Sequence, residues 1–378
     1  MVSGRTVWID QLDPWERSVL DPGVPETLER RPDVLVVGGG ILGVATAVAC
    51  RDAGAGSVLL IEARRLGAGA TGRAAGLLVP EAHQGSDPRA LVELGRTSFA
   101  QWRALDATVA GGVGFLDRDW LGLAPHPDGF LADPSPAVEW LDAAEMQQLL
   151  PGLAPAVSGV RIRHQGRVNP LLALSRLAAQ IPQIATGCTA TAISAREDRV
   201  LAVSSSAGVI TPGAVVFATG TPPTLEGLDL RLPTDAVKGH LVVTEPVPVT
   251  LPGMVAPLAT QLEDGRLLAG GTLDIGDATA GVRIEVTDRI RAELAAALPH
   301  LPRVRLTHRW CCWRPRHPDG LPVIDCLPGL GNAWITSGHY RTGILMGPAT
   351  GSALARWIVS GQRPAHTEPW AIHRHFSS

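Results

Sequence analysis

DVLVVGGGILGVATAVACRDAGAGSVLLIEA, running from Asp33 to Ala63, changes its hydrophobic period twice within one short stretch. The apolar run Val34 to Val37 reads as a buried strand. Glycines follow at 38, 39, 40 and 43. Ile41 to Ala53 then reads as a helix, ended by Gly54, and Val58 to Ile61 as a second strand finishing at Glu62. Together these make one βαβ unit. Gly38, Gly40 and Gly43 form GxGxxG between strand and helix. The first glycine permits the tight turn, the second lets a pyrophosphate approach the backbone, and the third lets helix and strand pack closely. The helix N-terminus then meets the phosphates with its partial positive charge. A carboxylate at Glu62 can accept two hydrogen bonds from a ribose and would repel a 2′-phosphate. The unit therefore points to FAD or NAD rather than NADP.

Two features further out favour FAD. After Glu62 comes ARRLGAGATGRAAGLLVP, a small-residue loop suited to passing under a flat ring system, where a simple dehydrogenase would enter its next crossover helix. Later, Ala214 to Gly220 reads AVVFATG, a strand ending in Ala-Thr-Gly. Helices are expected over Asp87 to Val109, Asn169 to Gln180, Thr287 to Leu298 and Gly347 to Ser360. Strands are expected between Ile184 and Thr219 and again between Pro233 and Thr272. Gly111 to Val160 is rich in proline and glycine, with short strand-like pieces.

The 378 residues allow two domains or one large α/β unit, and 45% apolar content allows a sizeable core. A net charge of −3 argues against a nucleic-acid surface driven by bulk charge. Lys238 is the sole lysine. Five scattered cysteines without CxxC spacing fit reduced thiols better than a disulfide framework or a zinc site. No apolar window is long enough for a membrane span, and the polar N-terminus does not read as a signal peptide, so a cytoplasmic location is expected. His83, His126, His164, His240, His300, His308 and His317 show no metal spacing and are expected to be structural or exposed. His373 and His375 are expected to be solvated in a tail. Met1 to Pro32 reads as an extension that carries Trp8 and Trp15 and either packs on the surface, serves a partner or trails as a tail.

The chain resembles the FAD-dependent D-amino acid oxidase superfamily, and within it the glycine oxidase branch. The resemblance runs from Asp33 to Trp357 through VVGGGILG, TGRAAGLL, RVNPLLAL, VVFATG, AVKGHLVV, DGRLLAGGT, WRPRHPDGLPVID and SGHYRTGILMGPATG. It implies an α/β (mixed α+β) fold, with a Rossmann-like FAD-binding domain (33–112, 160–232 and 317–378) interleaved with an antiparallel-sheet substrate domain (113–159 and 233–316). It implies FAD contacts at Gly38, Gly40, Ile41, Leu42, Gly43, Glu62, Ala63, Ala70, Thr71, Ala75, Gly76, Leu77 and Ala190. It also implies that His339, Tyr340, Arg341, Thr342, Gly343, Ile344 and Leu345 wrap the flavin ring. Arg314, followed by Pro315, takes the role of the arginine that forks the substrate carboxylate, aided by Arg341. Leu258 and Leu273 fall at substrate-lining positions.

The implied activity is oxidative deamination of glycine, sarcosine or a small D-amino-acid-like amine. Hydride passes from the α-carbon to flavin N5, and O2 reoxidises the flavin to give H2O2. Two departures stand out. Leu258 occupies a place where glycine oxidases carry a tyrosine, which favours a larger or more apolar amine. Cys312 stands seven residues before Asp319, the spacing at which sarcosine oxidases hold flavin covalently; a small buried residue is the other reading. No residue matches the oxygen-activating lysine of sarcosine oxidases, so a dehydrogenase with another electron acceptor is an alternative, as is a non-catalytic flavoprotein subunit. The expected partners are the small-molecule substrate and O2, with no nucleic acid and no membrane. A homo-oligomer is left open.

Overall fold

The computed structural model describes residues 4–83, 86–124, 137–301 and 304–376; His126 and the side chain of His83 lie outside them. The chain builds a six-stranded sheet, a three-stranded sheet and a large mixed sheet. Val34–Val37 and Val58–Ile61 are buried at every position, as strands covered on both faces must be. They pair in parallel, and Ala214–Gly220, Ala333–Ser337 and Gln183–Ala185 extend the same sheet in parallel. Val323–Cys326 closes one edge antiparallel. Ala190–Arg196, Arg199–Ser205 and Gly208–Ile210 form the small antiparallel sheet.

The large sheet centres on Asp235–Pro246, whose residues Asp235 to Thr244 pair with Leu306–Arg316. Its two faces pack differently. Leu241, Val243 and Trp310 enter the cluster shared with Ile41–Asp52 and Gly343–Ser360, while Val242, Leu267 and Ala269 enter a separate cluster with Ile284–Ala297. This sheet is not purely antiparallel, because Gly253–Ala256 runs parallel to Leu116–Leu123. Gly159–Arg167 belongs to it, and Leu77–Leu78 joins that strand's end. The expected boundary at 160 thus falls inside a strand, and the glycine-rich loop ends in the large sheet.

The last helix begins at Gly343, a turn earlier than its apolar pattern suggests, and runs through Pro348 to Ser360. A proline deprives the carbonyl four residues back of its donor. Here the indole of Trp102 donates to the carbonyls of Ile344 and Leu345 at 3.1 Å each, and Ser98 Oγ accepts the Ala349 N–H. The helix therefore survives its proline because Arg89–Thr108 supplies the missing partners. It also lies directly on Ile41–Asp52: a Cβ at Gly351 would stand 2.6 Å from the Ala45 carbonyl oxygen.

The helix expected from Thr287 begins at Ile284, and Ala143–Leu149 is a helix within the proline- and glycine-rich region expected to carry short strand-like pieces. The tail also differs from expectation. His373 is exposed, but the His375 side chain is only 6% exposed and its ring stacks 4.8 Å from His317. The N-terminal segment packs, with Trp8 fully buried. Among the described residues, no helix is long and apolar enough to cross a membrane, and no cluster of His, Cys, Asp and Glu could hold a metal ion.

Candidate active site

The glycine turn is built as the GxGxxG spacing requires. Gly38 has φ +117°, and a Cβ there would lie 2.5 Å from the Ala218 carbonyl oxygen. A Cβ at Gly43 would lie 1.9 Å from the Gly38 carbonyl oxygen. Gly40 caps Ile41–Asp52 in an extended conformation. The first N–H groups of a helix have no partner within it. Thr71 Oγ1 takes that of Ile41 at 3.0 Å, leaving Leu42 and Gly43 to face a ligand. Glu62 accepts the N–H of Gly39 at 2.7 Å on one oxygen and that of Arg64 at 2.9 Å on the other. These bonds hold the carboxylate in place while each oxygen keeps a lone pair for a ribose hydroxyl. The crowded glycines and the oriented carboxylate fit a dinucleotide.

The loop after Glu62 is held just as firmly. Thr71–Arg73 forms one 3₁₀ turn, and Gly76 (φ +77°) lies so close to Val168 that a Cβ would meet its carbonyl oxygen at 2.0 Å. Leu77 begins the pairing to the large sheet. Ala63 is exposed beside Glu62, and Ala190 opens the small sheet. A polar cavity of about 470 Å³ borders this loop, lined by Asp21, Arg64, Arg65, Ala68, Arg73 and Gly187.

A second cavity, of about 210 Å³, brings Ala70 of this loop together with Thr219 to Thr221, Thr234 to Ala236 and Trp313 to Pro315. Arg314 is here. Its Nη1 donates to the Thr272 carbonyl at 2.8 Å. It lies across Gly239, where a Cβ would stand 2.3 Å from Nη1, so any side chain at 239 would displace the guanidinium. The neighbouring arginines are neutralised: Arg316 pairs with Asp235 at 2.9 Å, and Arg341 with Asp87. Among the described residues Arg314 has no such carboxylate partner.

The segment 337–345 packs against this arginine strand. The Tyr340 N–H donates to the Pro315 carbonyl at 2.8 Å, with Tyr340 in the left-handed region at φ +46°. Arg316 and Arg341 flank its ring at 5.8 and 6.0 Å. Arg341 is exposed and donates to Ser86 at 2.9 Å as well as to Asp87, so its guanidinium ties the knot to the start of the long helix. Thr342 caps Gly343–Ser360 in position but not by its side chain, which donates to the His339 carbonyl. Ile344 and Leu345 are buried. His339 is buried too, 3.3 Å from Thr350 Oγ1, and burial, with His317 nearby, pushes its pKa down to about 3. Its imidazole is neutral at physiological pH.

The remaining candidates separate. Leu273 follows Thr272, whose carbonyl holds Arg314, and is 51% exposed. Leu258 packs with Val255 and Leu267 on the opposite side of the large sheet. Cys312 pairs across the strands with Gly239 and is buried on the Arg314 side; burial raises its thiol pKa, which keeps thiolate scarce. Lys238 is fully buried away from Arg314, donating to the Thr279 carbonyl and hydroxyl at 2.7 and 2.8 Å. Sequence reasoning missed Trp102, Asp87 and Gly239, whose roles depend on contacts across long stretches of chain.

Comparisons with known proteins bear on the family and the fold. The sequence profile of the family described as "DAO: FAD dependent oxidoreductase" matches residues 33–357. A glycine oxidase of Pseudomonas aeruginosa is 30% identical, covering 88% of this chain and 95% of its own. The crystal structure of glycine oxidase from Geobacillus kaustophilus superposes with a TM-score of 0.80 at 26% identity, covering 92% of this chain and 100% of its own. L-proline dehydrogenase from P. horikoshii shares the fold, with a TM-score of 0.81 at 21% identity over 92% of this chain and 98% of its own.

Proposed function

The chain belongs to the DAO family of FAD-dependent oxidoreductases, and from that premise we propose that it oxidises the α-carbon of a small amino acid or N-substituted amino acid. The observation that carries this reading is Arg314. It is the arginine of its strand without a carboxylate partner among the described residues, and it shares a cavity with Ala70 of the loop expected to hold the flavin. A guanidinium in a partly desolvated cavity binds a carboxylate through two parallel hydrogen bonds, which fixes both position and angle. The Thr272 carbonyl occupies one donor and so orients the rest of the fork.

Bound FAD supplies the two-electron acceptor for hydride. The protein's share is placement. Arg314 holds the carboxylate so that the α-carbon has one orientation, and effective molarity supplies much of the rate. His339 cannot serve as a proton donor near neutral pH, because it is buried and neutral. The substrate amine arrives unprotonated, and the imine product hydrolyses in water to a keto acid or aldehyde and ammonia or an amine.

Oxygen as the electron acceptor, with H2O2 as product, is the first form of the proposal. A different acceptor is the second, favoured by the burial of the sole lysine away from Arg314. The division into an FAD-binding unit and a substrate unit is part of the reading, with Gly159–Arg167 assigned to the substrate sheet by its pairing. A cytoplasmic location is also part of it, supported by five free cysteines.

The test is anaerobic bleaching of the bound flavin by glycine, sarcosine, D-alanine, D-proline and bulkier amino acids, followed by admission of air. Bleaching by one of them supports the reading, and peroxide formation on reoxidation selects the oxidase form. A flavin that no amine bleaches overturns it.

A further inference from the structure

Residues 4–32 precede the stretch shared with the family, yet they are bound tightly to the rest of the chain. Pro14–Val19 is closed by a reciprocal cap between Asp13 and Glu16, and Glu16 also pairs with Arg176 at 2.6 Å. Asp10 reaches His308 at 2.9 Å, and the Leu66 N–H donates to the Leu20 carbonyl at 2.8 Å. Trp8 is fully buried, and its indole N–H donates to the Ala74 carbonyl at 2.8 Å. Trp310, also fully buried, donates to the carbonyl of Arg73 at 3.0 Å. Two indoles from opposite ends of the chain thus grip consecutive carbonyls of the loop between Ala70 and Leu77.

A trans peptide points its C=O and N–H in opposite directions. Anchoring the Ala74 carbonyl on Trp8 therefore aims the Ala75 N–H away from the N-terminal segment. No acceptor among the described residues takes that N–H. We propose that Trp8 is a positioning residue for the cofactor: it holds the Ala74–Ala75 peptide so that the Ala75 N–H donates to an acceptor atom of the flavin. The N-terminal segment is then a working part of the cofactor site. This rests on the flavin reading of the loop.

The experiment compares the wild-type chain with Trp8→Phe, Trp310→Phe and Leu12→Ala. Phenylalanine keeps a buried ring and removes the donor. Leu12→Ala loosens the same segment, where Leu12 is buried and, among the described residues, makes no hydrogen bond to the loop. Apoprotein is titrated with FAD, and the visible spectrum of the loaded protein and the unfolding midpoint of the apoprotein are recorded. Trp8→Phe and Trp310→Phe are expected to weaken FAD binding at least tenfold and to shift the visible bands. Leu12→Ala is expected to lower the midpoint while leaving FAD binding within twofold of wild type. A Trp8→Phe protein with wild-type FAD affinity and spectrum, or a Leu12→Ala protein that weakens FAD as much, overturns the proposal. If Trp8→Phe does not fold, Trp310→Phe decides by the same two readouts. A wild-type chain that takes up no FAD would instead sink the flavin reading itself.

Discussion

The indole of Trp102 sits 3.1 Å from the carbonyl of Ile344, the acceptor that Pro348 strips of its helical partner. The same N–H reaches the carbonyl of Leu345, and Ser98 Oγ accepts the Ala349 N–H at 3.1 Å. One side chain thus keeps the first turn of the last helix regular, and that turn carries Gly343 to Leu345 beside the tyrosine knot.

Trp102→Phe is expected to leave the buried Ile344 carbonyl without a donor. The cost is about 2–3 kcal/mol, since a buried acceptor without a partner loses its hydration and gains nothing in return. Urea denaturation of the FAD-loaded protein checks this. A midpoint unchanged from wild type would mean that the helix end satisfies itself in another way.

Arg314→Ala is expected to lower kcat/KM by a factor of roughly 100, about 3 kcal/mol, because it removes the charged fork for the carboxylate. Arg314→Lys keeps the charge but not the parallel bonds, and should recover only part of the loss. Arg341→Gln should change kcat/KM by a few-fold at most, since Arg341 is already committed to Asp87. Steady-state kinetics on the bleaching substrate decide. Equal losses from the two arginines would return Arg341 to the substrate.

Acid should weaken the fold in part through His339. Its folded pKa, about 3, lies below the ordinary histidine value near 6.5. Between these values the unfolded chain binds a proton that the folded chain refuses, so stability falls as pH drops from about 6.5 towards 3 and is unaffected above that window. By pH 5 the loss from this one group is about 2 kcal/mol. His339→Gln should be less pH-sensitive than wild type by about that amount, measured as the change in urea stability between pH 7 and pH 5. Identical pH dependence in the two proteins would mean that His339 titrates normally.

Cys312 is expected to stay a free thiol. Burial raises its pKa, and the thiolate needed for attack on a flavin is scarce. Mass spectrometry of the denatured holoprotein should show the bare chain, with FAD released into solution. A mass increased by one flavin at Cys312 would establish covalent attachment.

Much of the cofactor side was legible from residues alone. Gly38, Gly40, Gly43 and Glu62 are read at fixed spacing along a strand–turn–helix unit, and local sterics force that unit to one geometry. Ala143–Leu149 was missed, although its capping pair, Asp142 and Glu145, is a signal the sequence carries. Leu258 lies in the short connection between Gly253–Ala256 and Ala259–Gln261, where no strand period says which way a side chain packs. His375 was judged solvated because a short polar tail carries no periodic sign of where it docks.

From the sequence by itself came the βαβ unit, its dinucleotide turn and the likeness to the family, because these depend on short-range pattern and residue type. Only the tertiary structure decided that Arg314, among the described residues, has no carboxylate partner, which indoles hold the loop after Glu62, and how a helix carries Pro348. Those answers depend on groups such as Trp8 and Ala74, or Trp102 and Ile344, that lie 66 and 242 positions apart. Hydrogen bonds at that separation are set by how whole elements pack, and no local spacing encodes them.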